Sequence, residues 1–187
     1  EDGIYAVIDG VLEFKVGFNT PYPGGTEPFT QIDSIVSLDG DIGFRGYSSA
    51  EQGGLLVIID DSITVIADLS TTAPGGSETF SGFDPLVSLG GGNAAFRAAT
   101  QTQSGIYAFI DNSLVKVADN NTLVPGGTGN FTDVVGAMRI GGGLAFSGRG
   151  DGSEYSTYTF IDGEIAIVAD TNTPIPGGSG NFTAVTN

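Results

Sequence analysis

Cysteine, histidine and tryptophan are all missing from this chain of 187 residues. Without cysteine there is no disulfide, no thiol nucleophile and no thiolate metal site, and the redox compartment stays open. Without histidine the commonest general base and the commonest transition-metal ligand are gone. Positive charge is scarce as well. Six Lys and Arg stand against 22 Asp and Glu, for a formal net charge of −16. So acidic a surface repels nucleic acid and anionic membranes, and neither is expected as a direct partner. It suits a cationic partner, or Ca2+ bound by oxygen ligands. No apolar run approaches the roughly 20 residues of a membrane span, so no membrane insertion is expected. The opening residues, Glu1 to Tyr5, carry no signal-peptide pattern and run directly into repeat material, as in a mature or excised chain.

What the chain does have is a period of 51 residues. Pro-Gly-Gly begins at Pro23, Pro74, Pro125 and Pro176, and an Ile-Asp pair ends at Asp9, Asp60, Asp111 and Asp162. A lone aromatic follows each glycine pair, at Phe29, Phe80, Phe131 and Phe182. Three independent markers on one period mean a stack or ring of similar supersecondary units. The 31 glycines cluster at turns, and with 40% hydrophobic residues the chain reads as folded and all-β.

The second copy shows the unit. Short strands are expected at Ile35–Leu38, Ile42–Arg45, Leu55–Ile59 and Ile63–Ala67, with turns at Asp39-Gly40 and Asp60-Asp61. A long connection from Asp68 to about Phe83 carries Pro74-Gly75-Gly76, in which Pro then Gly suits the centre of a type II turn. On the third strand both alternating sets are apolar, Leu56 and Ile58 against Leu55, Val57 and Ile59. Each sheet is therefore expected to be covered on both sides. Four-stranded antiparallel units stacked face to face, with small residues such as Gly43, Ala94, Ala95 and Ala145 where units crowd together, predict an all-β, β-propeller-like array. Its blades are expected at about 33–68, 84–119 and 135–170, preceded by a half blade at 3–17 and followed by a C-terminal loop over 171–187.

The stretch Ser37 to Arg45, followed by Leu55 to Asp60, resembles a blade of the TolB-type propellers. Ala169-Asp170-Thr171-Asn172-Thr173-Pro174-Ile175-Pro176-Gly177-Gly178, continuing to Thr183, is similar to the repeat of secreted bacterial, cyanobacterial-type tandem-repeat proteins. The second resemblance covers every copy, although Gly17 stands where later copies have Asp68, Asp119 and Asp170. It implies export to the cell surface or beyond and a repeat scaffold, with no known chemistry.

Each candidate site has a structural reading beside the functional one. Asp9, Asp60, Asp111 and Asp162 sit at hairpin turns and suit left-handed backbone. Asp68, Asp119 and Asp170 are the candidate Ca2+ ligands, since they open loops rich in side-chain oxygens. The spacing lacks the Asp-x-Asp-x-Asp-Gly pattern, and an Asp that caps its own loop accounts for the same residues. The repeated phenylalanines could form an aromatic platform or plug their loops between sheets. Arg45 and Arg97 suit local pairing with acids. Asn120, Asn130 and Asn181 begin Asn-x-Thr triplets, which short Asn- and Thr-rich loops produce by accident. Arg149, Asp151 and Glu154 form the most irregular stretch and read as a variable loop.

Paired carboxylates would be the remaining route to catalysis, as in a hydrolase or lyase. The acids, however, recur with the period instead of clustering in one copy. The expectation is a non-enzymatic extracellular scaffold for surface structure, adhesion or subunit assembly. The alternative is a polysaccharide- or other ligand-binding propeller, with Ca2+ as a candidate cofactor. By the period, residues 3–17 supply only the last two strands of a unit, and the chain stops at Asn187 where another first strand is due. An open edge at 3–17 that pairs with a copy of the chain, or with another protein, is therefore expected.

Overall fold

The computed structural model describes residues 2–49, 52–152 and 154–185. Asn187, the expected stop of the C-terminal loop, lies outside them. The described chain contains fifteen strands and no helix. A hairpin of β1 (Gly3–Ile8) and β2 (Val11–Gly17) forms a two-stranded sheet. The second sheet is the meander β3 (Phe29–Leu38), β4 (Asp41–Ser48), β5 (Gly53–Ile59) and β6 (Ser62–Asp68). The third holds β9 (Asn93–Ala99), β10 (Ser104–Ile110) and β11 (Ser113–Asp119), with the short β7 (Gly82–Phe83) and β8 (Val87–Gly90) both along the free side of β9. The fourth is β12 (Asp133–Ile140), β13 (Gly143–Arg149), β14 (Ser156–Ile161) and β15 (Glu164–Ala169). All pairings within these sheets are antiparallel, and each sheet is built from a single stretch of chain.

The first strand of each unit starts earlier than its hydrophobic pattern predicts. β3 begins at Phe29, not near 33, and β7 and β12 begin at Gly82 and Asp133. The reason lies in the middle of the strand. Ser34, Pro85 and Gly136 share one position of the period. Ser34 and Gly136 take φ of 55° and 69° inside bulges, and this interrupts the alternation that marks a strand. Pro85 cannot take a positive φ and has no N–H to give the ladder. There the strand divides into β7 and β8.

Tertiary packing follows the two apolar faces of each unit. Leu56 and Ile58 of β5 pack with Ile4, Val16, Phe29 and Phe44, between the first and second sheets. Leu55 and Val57 of the same strand pack with Phe80, Phe96 and Tyr107, between the second and third. Ile106 and Ala108 pack with Phe131, Phe146 and Tyr158, between the third and fourth. Three successive apolar layers thus join four sheets in chain order. Each central sheet is covered on both sides, which explains its near-continuous apolar strands.

The long connections are built alike. Gly76 N–H donates to Ala73 O at 3.0 Å, and Gly75 has φ of +80°, which makes a type II turn at Pro74-Gly75. The other three Pro-Gly-Gly segments close with the same bond at 2.9–3.0 Å. The aromatic then enters the core. Phe29, Phe80 and Phe131 are 1–2% exposed, and Phe80 meets Phe83, Phe96 and Tyr107 with ring centroids 4.9–6.3 Å apart. These three plug gaps between sheets and form no exposed platform. Phe182 is half-buried.

Candidate functional site

The outer face of the first sheet is the largest departure from this pattern. Tyr5, Leu56, Tyr107 and Tyr158 occupy one position of the period. Leu56, Tyr107 and Tyr158 are buried against the preceding sheet, whereas Tyr5 is 43% exposed. Val7, Leu12 and Phe14 lie beside it and are also exposed. Tyr5 and Phe14 meet edge to face with centroids 5.4 Å apart. Among the described residues β1 pairs with β2 and with no other strand. Tyr5, Val7, Leu12 and Phe14 together form an exposed apolar patch on this sheet.

The three candidate Ca2+ ligands lie in loops of three different sheets. In each loop the carboxylate is already used. The Asp68 carboxylate accepts from Ser70 N–H at 2.9 Å and from the hydroxyls of Ser70 and Thr71, at 2.7 and 2.8 Å, while Asp68 N–H donates to Thr71 Oγ1. Asp119 and Thr122, and Asp170 and Thr173, repeat that reciprocal pair. In the first copy Gly17 keeps only the backbone half, through Thr20 Oγ1 at 3.1 Å. Burial disfavours the ionised Asp68, but its hydrogen bonds outweigh burial and hold the carboxyl below its ordinary range. At Asp170 the Thr173 hydroxyl is the main cause of a shift in the same direction. No group of three or more Asp or Glu among the described residues is placed to hold a metal ion.

Other singled-out residues are accounted for locally. Asp9, Asp60, Asp111 and Asp162 have φ of 46–52°, the left-handed backbone of a tight hairpin. The Asn120 side chain joins neighbouring strands and loops, accepting from Ser104 N–H at 2.9 Å and donating to Thr132 O at 2.9 Å. Arg149 stacks 5.2 Å from the Tyr155 ring, whose hydroxyl donates to Asp133 at 2.6 Å.

The arginines do more than the sequence suggests. Arg45 Nε donates to Asp33 at 2.7 Å within its own sheet, which holds the Asp33 carboxyl below its ordinary range. Arg45 Nη1 also donates to Phe83 O of the next sheet at 2.9 Å. One unit later Arg97 Nε donates to Val134 O at 3.1 Å. Phe83 and Val134 are 51 residues apart, so the same strap recurs at the same place. The recurrence of Phe-Arg in β4 and β9 was the available signal, and only the packing shows that it crosses between sheets.

Arg139 is the cation left over. The other five Lys and Arg each have a carboxylate within 4.0 Å, while Arg139 has none among the described residues. It lines a cleft of about 750 Å3 between the turn ends of the third and fourth sheets.

A family described only as one of unknown function, DUF7453, matches residues 2–187. The chain belongs to this family. No curated protein and no solved structure matches it. Membership of DUF7453 thus covers the whole described repeat array and brings no activity with it.

Proposed function

We propose that this DUF7453 chain is a non-enzymatic repeat scaffold, displayed outside the cell, that assembles by stacking repeat unit on repeat unit. The observation that carries the reading is the exposed apolar face of Tyr5, Val7, Leu12 and Phe14. Its positions are those through which the later sheets pack on their predecessors, so the partner it fits is another sheet of this repeat. The occupant proposed is the fourth sheet of a second copy, and three internal interfaces of the same kind supply the precedent. Its outward side carries Thr157, Thr159, Ile161 and the exposed Met138. Each unit is a propeller-like blade, and head-to-tail contacts of this kind give a ring if they close and a filament if they do not. The resemblance to secreted bacterial repeat proteins supports the extracellular assignment. Against a hydrolase or lyase stands the distribution of acids, which recur at turns and loop caps and gather in no single copy.

Analytical ultracentrifugation over a wide concentration range tests the reading. Self-association is expected, and Val7→Thr with Leu12→Thr should weaken it at least tenfold while leaving the melting temperature within a few degrees. Threonine keeps the β propensity of both sites and removes the apolar contact. A monodisperse monomer at high concentration would overturn the proposal, as would an assembly indifferent to both substitutions.

A further inference from the structure

The cleft beside Arg139 has a counterpart of about 530 Å3 between the first and second sheets, and differs from it in having no contact across it among the described residues and an arginine in its wall. Three such grooves run between adjacent sheets at their hairpin-turn ends. The first is crossed by Lys15, whose ammonium lies 2.6 Å from Asp61 of the second sheet and 2.8 Å from Glu13. The second is crossed by Gly91 N–H, which donates to the Asp39 carboxylate. Among the described residues no hydrogen bond or ion pair closes the third. It stays open at about 750 Å3, within the roughly 300–1,000 Å3 of small-molecule sites.

The repeat is broken at the residue that matters. Ser88 and Ser37 stand one and two periods before Arg139, so the third groove alone receives an arginine at this position. Gly90 makes room for it. A Cβ there would overlap the Arg139 guanidinium, and Gly90 has φ of +86°, so any other residue would be strained as well as crowded. Leu89, Ile110 and Val115 supply apolar wall, and Asp111 and Asp162 stand at the rim. Asn93 Oδ1 accepts from Asp111 N–H at 3.0 Å, which leaves Asn93 Nδ2 to donate into the cleft.

We infer that this cleft binds a sugar acid. A guanidinium takes a carboxylate through two parallel hydrogen bonds, and Arg139 has no carboxylate partner among the described residues. Asp111 and Asp162 accept from hydroxyls, Asn93 donates to them, and the apolar wall takes the C–H face of the ring. A ligand with one carboxylate and several hydroxyls uses all of these groups. A polyanion would meet repulsion from the two rim carboxylates. The site lies between the third and fourth sheets, away from the face of the first sheet, and does not depend on the assembly reading.

The test is a titration of the chain with D-glucuronate and, separately, with D-glucose. It follows the arginine Nε–H resonances by NMR, which are few because the chain has four arginines. Glucuronate should shift the Arg139 resonance saturably, and glucose should bind at least tenfold more weakly. Arg139→Ser restores the residue of the other two units and should abolish the glucuronate response with the remaining spectrum unchanged. Gly90→Ala, which crowds the guanidinium, should weaken binding as a second variant. Absence of a saturable shift, equal binding of glucose, or a response that survives Arg139→Ser would overturn the inference.

Discussion

At the scale of single residues, a small set of side chains holds loops that have little regular hydrogen bonding. The Asp-x-x-Thr pair at Asp68 and Thr71 satisfies backbone and side chain reciprocally, as a helix N-cap does. The Asp68 carboxyl lies below its ordinary value of 3.8 in the folded chain. A group so depressed stabilises the fold fully above its unfolded pKa, and that contribution is lost as pH falls through the folded value. Denaturant unfolding at pH 7 and pH 3 should therefore show Asp68→Asn destabilising at pH 7, with the difference from the parent shrinking at pH 3. A chelator added in the same experiment should leave the parent's midpoint unchanged, because the carboxylate is occupied by its own loop. A fall in the midpoint with chelator would instead favour Ca2+ in these loops. Tyr22 is the converse case. It is 1% exposed, and its hydroxyl has no hydrogen-bond partner among the described residues. Burial pushes its pKa up, and the same position holds Ala73, Val124 and Ile175 in the other copies. Replacing Tyr22 by Phe should leave thermal stability equal or higher, since an unsatisfied buried hydroxyl costs about 1–3 kcal/mol.

At the scale of elements, the unit is a hairpin pair whose loop is anchored in the core by one aromatic. Phe131 packs on Phe146 and Tyr158, with centroids 6.0 and 5.0 Å away. Phe131→Ala should cost about 3–5 kcal/mol, the usual range for a buried phenylalanine, as read from the shift in denaturation midpoint. A cost below about 1 kcal/mol would mean that the loop is held by its type II turn and Thr122 alone. How much of this was legible depends on the element. The Ile-Asp turns and Pro-Gly turns were, because positive φ confines the residues that can stand there. The first half of β3 was not. Its Thr30-Gln31-Ile32-Asp33 reads polar, and the bulge at Ser34 shifts the alternation, so pattern alone starts the strand too late.

At the scale of the whole molecule, charge and shape act against each other. A stack bearing a formal net charge of −16 repels its own copies, while the exposed face of the first sheet draws them together. Screening falls to a Debye length of about 10 Å near 0.1 M salt, so added salt removes the repulsion and leaves the apolar contact. Sedimentation should show self-association strengthening as ionic strength rises. Weakening with salt would mean that the contact between copies is made by ion pairs.

Periodicity was sufficient for the all-β class, the unit length and the alternation of apolar faces, because each is a local property repeated four times. It also gave the pairing of residues 3–17 as a two-stranded hairpin, since counting strands within a period needs no coordinates. The sheet-to-sheet contacts were beyond it. Arg45 and Arg97 strap one sheet to the next through backbone carbonyls of Phe83 and Val134, and a backbone acceptor leaves no mark in a sequence. The Arg139 cleft was likewise invisible. Its sequence signal is one arginine where two earlier units carry serine, and it becomes a site only because packing brings the third and fourth sheets together without closing the groove between their turns. Local rules act along the chain and are written in it, whereas which groove stays open depends on how two folded sheets meet.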